Sequence, residues 1–173
     1  EKKHTVIAKG LPAGPGGAVG RIALSCEKAI EYQEQGIASI LVREETNPED
    51  VEGMRAANGI LTSKGGMTSH AALVARGWGK CCVVGCDDVR ISKVNENEVA
   101  IGEKVFKEGD VISLNGTKGW IYAEPVAMID ATENKVFQEF MALVDKYRKM
   151  GVRTNADTPK DAQKAIDFGA EGI

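Results

Sequence analysis

Gly65-Gly66-Met67-Thr68-Ser69-His70-Ala71-Ala72-Leu73-Val74-Ala75-Arg76-Gly77 carries one of only two histidines in the chain. Two glycines, two hydroxyl residues and the histidine lead into an apolar run. Ile60-Leu61-Thr62 before it and Lys80-Cys81-Cys82-Val83-Val84-Gly85 after it read as short buried strands. The pattern predicts a helix over about 69–75 set between two strands, an α/β crossover with His70 at the helix start. Ser69 or Thr68 can cap that helix.

Upstream, Thr46-Asn47-Pro48-Glu49-Asp50 reads as another helix start. Asn47 can cap, Pro48 suits the first turn, and Glu49 and Asp50 suit the positive helix end. Val51, Met54 and Ala57 give its apolar side, and Gly59 is expected to end it. Ile37–Val42 reads as a buried strand. Ser25 caps a helix running to about Gln35, with Gly36 beyond its end. Thr5–Ala8 and Arg21–Leu24 read as strands. Between them, Gly10–Gly20 holds too many glycines and prolines to be a helix or strand throughout. It is expected to be a structural turn or a loop beside the histidine. It lacks the Lys-Ser/Thr ending of a phosphate-binding loop and the glycine spacing of the dinucleotide fingerprint.

Downstream the pattern changes. Glu98–Ile101, Lys104–Phe106, Val111–Leu114 and Gly119–Tyr122 read as short strands forming a compact β layer, not a further α/β repeat. Asp130–Met150 is the longest predicted helix. Val136, Phe140, Leu143, Val144 and Tyr147 share one face; Glu133 and Glu139 lie early, and Lys146, Arg148 and Lys149 late. It could link two domains, join the same core or form an oligomer contact. Val152–Asn155 then reads as a strand and Thr158-Pro159-Lys160-Asp161 as a capped helix start. Ala162, Ala165, Ile166 and Phe168 supply its apolar side, and Gly169 and Gly172 flank a turn into Ile173. This βα unit reads as the opening of a larger α/β domain. The missing initiator Met likewise suggests part of something longer.

Composition narrows the classes. Twenty-two Lys and Arg against 25 Asp and Glu give a formal net charge of -3, with no long basic run to suit nucleic acid. No apolar stretch reaches membrane-spanning length, and Glu1-Lys2-Lys3-His4 is not a signal peptide. His4, in a polar run, is expected at the surface. Cys26, Cys81, Cys82 and Cys86 contain no Cys-x-x-Cys pair and read as reduced structural thiols. Adjacent Cys81 and Cys82 should point to opposite faces of their strand.

At His70 several chemistries compete. The histidine can be a plain first-turn residue behind its cap. Metal ligation lacks a second histidine or a suitably spaced carboxylate. A Ser69–His70 hydrolase pair has diverging side chains and no Gly-x-Ser-x-Gly elbow. Acid–base or phosphoryl chemistry stays open. A helix start presents N–H groups to an anion and disfavours an imidazolium, and an attack on phosphorus needs a neutral ring nitrogen.

The run from Gly65 through Trp78-Gly79-Lys80-Cys81-Cys82-Val83 resembles the phosphohistidine motif of the pyruvate, phosphate dikinases, a branch of the phosphoenolpyruvate-utilising enzyme family. Other branches, phosphoenolpyruvate synthase and enzyme I of the sugar phosphotransferase system, typically carry Arg at the position of Met67 and lack the Trp78–Cys82 continuation. Pro12–Gly20 resembles the opening of the same swivelling domain. Val152-Arg153-Thr154-Asn155-Ala156-Asp157-Thr158-Pro159 resembles the start of the family's phosphoenolpyruvate/pyruvate barrel.

The resemblance implies an α/β, swivelling β/β/α phosphohistidine domain over residues 1–124, a linker helix over 125–150 and a truncated barrel start over 151–173. It implies that His70 carries a phosphoryl group from ATP to pyruvate, giving phosphoenolpyruvate, AMP and pyrophosphate, reversibly. Thr68 positions the ring or phosphate and, in plant members, marks a site of inhibitory phosphorylation by a regulatory kinase. Ser69 is expected as the helix cap or a second hydroxyl donor to the phosphate, Gly66 as a backbone donor that leaves clearance, and Arg76 as a phosphate contact or a residue facing another domain. No metal ligand is expected here: magnesium belongs to the partner ATP-binding and phosphoenolpyruvate/pyruvate-binding domains of the same polypeptide. A homodimer formed through other parts of the enzyme is expected, without nucleic-acid or membrane partners, in the cytoplasm, a plastid or a glycosome. The alternatives are a synthase or enzyme I relative, or a non-catalytic swivelling module.

Overall fold

The computed structural model describes residues 4–92, 94, 95, 97–127, 135–155, 159–167 and 169–172. Its elements follow in order: β1 (Val6–Lys9), β2 (Leu11–Gly14), β3 (Gly17–Ala23), α1 (Cys26–Glu34), β4 (Ser39–Arg43), a 3-10 turn (Pro48–Asp50), α2 (Val51–Ala56), β5 (Gly59–Thr62), α3 (His70–Gly77) and β6 (Cys81–Val84). Then come β7 (Val89–Ile91), β8 (Glu98–Ile101), β9 (Lys104–Lys107), β10 (Val111–Asn115), β11 (Trp120–Tyr122), α4 (Lys135–Tyr147) and α5 (Pro159–Asp167). Among the described residues these fall into two units, Glu1–Met128 and Ile129–Ile173.

In the first unit eight strands form one mixed sheet, ordered β1-β11-β10-β3-β4-β5-β6-β2. The β3–β4–β5–β6 steps are parallel and the flanking pairs antiparallel. The two edge strands, β1 and β2, are consecutive in sequence and separated by Gly10 alone. The sheet must therefore curl until its edges approach, and Gly10 N–H donates to Gly119 O at 2.8 Å.

Strand alternation splits the apolar residues between two cores. Ile22, Ile40, Val42, Cys81, Val83, Ile112 and Leu114 face one core, which Val99, Ile101 and Phe106 of the small antiparallel sheet β7-β8-β9 complete. Leu41, Cys82 and Val84 face the other, against Ala29, Tyr32, Met54, Ala71, Ala72 and Ala75 of the three helices. Alanines on α3 let that helix lie close on the sheet, fixing where its first residue emerges. As expected, Cys81 and Cys82 take opposite faces. All four cysteines are free. Burial pushes Cys82 up to about 12 and Cys81 and Cys86 to about 11, so these thiols stay protonated.

Four expectations need correction. The glycine-rich stretch is mostly strand: β2 and the start of β3 occupy it, and only Gly10, Pro15 and Gly16 lie outside strands. Its glycines serve strand approach; a Cβ on Gly14 would come 2.1 Å from Lys80 O. The second predicted helix ends at Ala56, and Gly59 opens β5 instead. Lys80 Nζ donates to the Arg55 and Ala57 carbonyls at that helix end. The late strands are not one layer: β10 and β11 join the large sheet, while β8 and β9 pair with β7, which carries too few residues to show a period. Val152–Asn155 forms no strand; Arg153 makes one isolated parallel bridge with Gly172.

In the second unit, α4 covers the centre of the predicted long helix and ends three residues before Met150. Val136, Phe140, Leu143, Val144 and Tyr147 are exposed. Arg148 pairs with Asp145 and Glu171 at 2.5 Å each. Helix α5 begins at Pro159 as the sequence suggests. Asp130 and Glu133, the Ala156-Asp157-Thr158 segment with its cap, Phe168 and Ile173 lie outside the described residues.

Candidate functional site

The segments that follow the parallel strands β4 and β5 meet at His70. After β5 the chain must turn sharply into α3. Gly65 makes that turn at φ +94°, where a side chain would be strained and its Cβ would sit 2.9 Å from Ser69 Cβ. Gly85 crosses next to it at φ +59°; a Cβ there would meet Gly65 O at 2.6 Å. Gly85 N–H donates to Lys64 O at 3.3 Å and Cys86 N–H to Thr62 O at 3.0 Å, so β6 buttresses the loop. Lys64 N–H donates to Glu44 O at 2.8 Å, tying the same loop to the end of β4.

Ser69 is the N-cap in extended conformation, and its Oγ accepts from Ala72 N–H at 3.4 Å. His70 is then the first helical residue, half-buried, beside first-turn N–H groups that lack partners inside the helix. Thr68 and Met67 are exposed. Ser69 N–H donates to Gly66 O at 3.0 Å. A Cβ on Gly66 would meet nothing within 4 Å, so Gly65, not Gly66, is the glycine this turn requires. Arg76 Nη2 donates to Met67 O at 2.5 Å. Its guanidinium thus clasps the loop that precedes its own helix.

The crossover from β4 to α2 supplies the other half. His70 Nδ1 lies 3.2 Å from Thr46 Oγ1, and Thr46 is only 7% exposed. Sequence reasoning missed Thr46; its partner lies 24 positions away and no local pattern signals the pair. No hydrogen bond reaches Nε2 among the described residues. Next to Thr46 the chain enters the 3-10 turn, where Asn47 N–H donates to Asp50 Oδ2 at 2.8 Å and Asp50 N–H to Asn47 O at 2.9 Å.

Asp50 is itself buried. Its Oδ1 accepts from the Cys26 thiol at 3.0 Å and lies 3.6 Å from Arg43 Nη2. Burial alone pushes the carboxyl up. The Cys26 thiol, the Asn47 N–H, Arg43 and, last, His70 together outweigh it and hold Asp50 below its ordinary value. For the Cys26 thiol both influences agree: burial first, then the bond to Asp50, raise it to about 12.

Of the predicted site residues, the structure gathers His70, Thr68, Ser69 and Gly66 at one helix start, while Arg76 reaches back to Met67. Among the described residues no group of three His, Cys, Asp or Glu side chains could hold a metal ion. No helix among them is long and apolar enough to cross a membrane.

Comparison with known proteins bears on this arrangement. Residues 37–119 match the family described as PEP-utilising enzyme, mobile domain. Pyruvate, phosphate dikinase 2 of Zea mays is 52% identical over 171 residues, 99% of this chain and 19% of that protein. The chloroplastic pyruvate, phosphate dikinase of Flaveria pringlei is 50% identical over 171 residues, 99% of this chain and 18% of its own. The chain thus spans under a fifth of the length of these relatives. The solution structure of an Enzyme I protein aligns over 65% of this chain and 38% of its own, with 21% identity and a TM-score of 0.37.

Proposed function

The chain belongs to the phosphoenolpyruvate-utilising enzyme family through its mobile domain, and on that premise we propose that His70 is the phosphoryl carrier of a pyruvate, phosphate dikinase. The observation that carries this is the ring itself: Nδ1 rests on Thr46 Oγ1 at 3.2 Å, and among the described residues no hydrogen bond occupies Nε2, at a helix start preceded by two glycines. With the proton on Nδ1, the Nε2 lone pair becomes the N–P bond to the β-phosphorus of ATP, and the α–β bridging pair leaves with AMP. Inorganic phosphate takes the γ-phosphoryl group as pyrophosphate. Phospho-His70 then gives its phosphoryl group to the oxygen of pyruvate enolate, and the N–P pair returns to Nε2. Splitting the exchange through a covalent intermediate replaces one difficult step with easier ones.

The phosphoryl oxygens on Nε2 would find the first-turn N–H groups of α3 and the hydroxyls of Thr68 and Ser69. Arg76 contributes by holding the Met67 carbonyl as well as by its charge. Residues 1–124 would be the phosphohistidine domain, 125–150 the linker helix and 151–173 the start of the phosphoenolpyruvate/pyruvate barrel. The remainder of that barrel, the ATP-binding domain and any homodimer contact would come from the rest of the polypeptide. Magnesium, which would neutralise phosphate charge there, is assigned to those domains. Thr68 is exposed two positions before His70; a kinase-placed phosphate on it would oppose a second dianion at the ring. A cytoplasmic or plastid setting fits the chloroplastic relatives.

The exchange of label between phosphoenolpyruvate and pyruvate, run by the whole enzyme without nucleotide, tests the carrier role. Exchange should proceed in the wild type and vanish in His70→Asn. Undiminished exchange in that variant would refute it.

A further inference from the structure

Thr46 can serve His70 only if its backbone is fixed, and the bonds that fix it converge on one buried carboxylate. Asp50 Oδ2 and N–H each bond to Asn47, the residue after Thr46, at 2.8 and 2.9 Å. Asp50 Oδ1 is anchored to two other elements, the Cys26 thiol at the start of α1 and Arg43 at the end of β4. Arg43 Nη1 also donates to Leu24 O at 3.3 Å, tying this anchor to the end of β3. A turn of this kind needs only one acceptor to close. The second oxygen, with its two partners, goes beyond what turn formation requires.

We infer that Asp50 is a positioning residue for phosphoryl transfer: through the Asn47 turn it holds the Thr46 hydroxyl against His70 Nδ1. The inference rests on the carrier role of His70 proposed above. Thr46 Oγ1 fixes the plane of the ring and, by accepting a hydrogen bond from Nδ1–H, leaves the lone pair on Nε2. When Nε2 attacks phosphorus the ring gains positive charge while Nδ1 keeps its proton. An oriented acceptor at Nδ1, backed by a buried carboxylate, favours that change. A carboxylate can serve the turn with one oxygen and Cys26 and Arg43 with the other, whereas an amide offers a single acceptor oxygen and must release one side.

A double-mutant cycle in the full-length enzyme tests this. The rate of phospho-His70 formation from phosphoenolpyruvate is measured by rapid quench for wild type, Asp50→Asn, Thr46→Val and the double variant, with KM and melting temperature in parallel. Each single variant should slow phosphorylation about tenfold, and the double should be no slower than Thr46→Val alone. KM should stay within about twofold, since neither residue meets substrate. Multiplying losses, or an Asp50→Asn enzyme that is less stable but phosphorylates at the wild-type rate, would overturn the inference and leave the carrier role standing. A wild-type enzyme that takes no label on His70 overturns both. Should Asp50→Asn fail to fold, Asp50→Ser keeps a capping oxygen without the second anchor and carries the same expectation.

Discussion

The crossover from β5 to α3 leaves its loop in solvent, with Met67 and Thr68 exposed, whereas the crossover from β4 to α2 buries Thr46 and Asp50 to 7% exposure. Both leave parallel strands at the same end of the sheet, and both meet at His70. The exposed crossover carries two glycines, a capping serine and a half-buried histidine. The buried one carries a 3-10 turn, a carboxylate bonded to that turn, to α1 and to β4, and a buried threonine on the ring Nδ1. On the proposed carrier role, access to His70 and the geometry of its ring depend on different loops, so the two should fail differently when each is damaged.

The sharpest break between the two is His70→Asn. Phosphoryl transfer should fall by more than about a thousandfold, because the nucleophile is removed. The melting temperature should move little, since among the described residues the half-buried ring makes one hydrogen bond, at 3.2 Å. A large loss of stability would mean that the exposed crossover is structural after all. The reverse signature belongs to Met54→Ala beneath the buried crossover. Met54 is fully buried, so its truncation should cost about 2–5 kcal/mol in urea unfolding. Phosphorylation of the folded fraction should stay within about twofold of wild type. Gly65→Ala should sit between them, costing about 1–3 kcal/mol for a side chain at φ +94°, with slower phosphorylation as the loop shifts. Gly66→Ala, with open space around the added methyl, should change stability by less than about 0.5 kcal/mol.

Acid separates the two loops in a further way. The Asp50 carboxyl is held below its ordinary value, so the stability it contributes is present above about pH 4 and is lost as pH falls through its folded value. Urea midpoints of wild type and Asp50→Asn, compared at pH 7, 5 and 3, should converge toward the acid end. A gap that widens at pH 3 would contradict the bonds drawn around Asp50.

The exposed crossover was legible in sequence and the buried one was not. Gly65–Gly77 announces itself locally: the cap is one residue before the helix, and the apolar face follows at helical spacing. Asn47, Pro48 and Asp50 also mark a helix start locally. Their use in the site depends on Thr46 meeting His70 and on Cys26 meeting Asp50, pairs each separated by 24 positions. No periodicity encodes such pairs. The glycine-rich Gly10–Gly20 stretch misled for a related reason. Its glycines permit neighbouring backbone to pack closely in a curled sheet, as at Gly20, where a Cβ would lie 2.8 Å from Ala38 O. Local propensity reads the same glycines as turns. Arg76 was expected to meet phosphate; its bond to the Met67 carbonyl could be seen only once the loop was folded back over the helix.

The central claim is that Nε2 of His70 carries the phosphoryl group while Nδ1 is held by Thr46. Phosphopeptide mapping of the full-length enzyme after phosphoenolpyruvate treatment, with ³¹P–¹⁵N correlation to identify the bonded nitrogen, tests it most directly. The account predicts one acid-labile, base-stable phosphate, on His70, joined to Nε2. Phosphate on Nδ1, or on another residue with His70 unmodified, would contradict it.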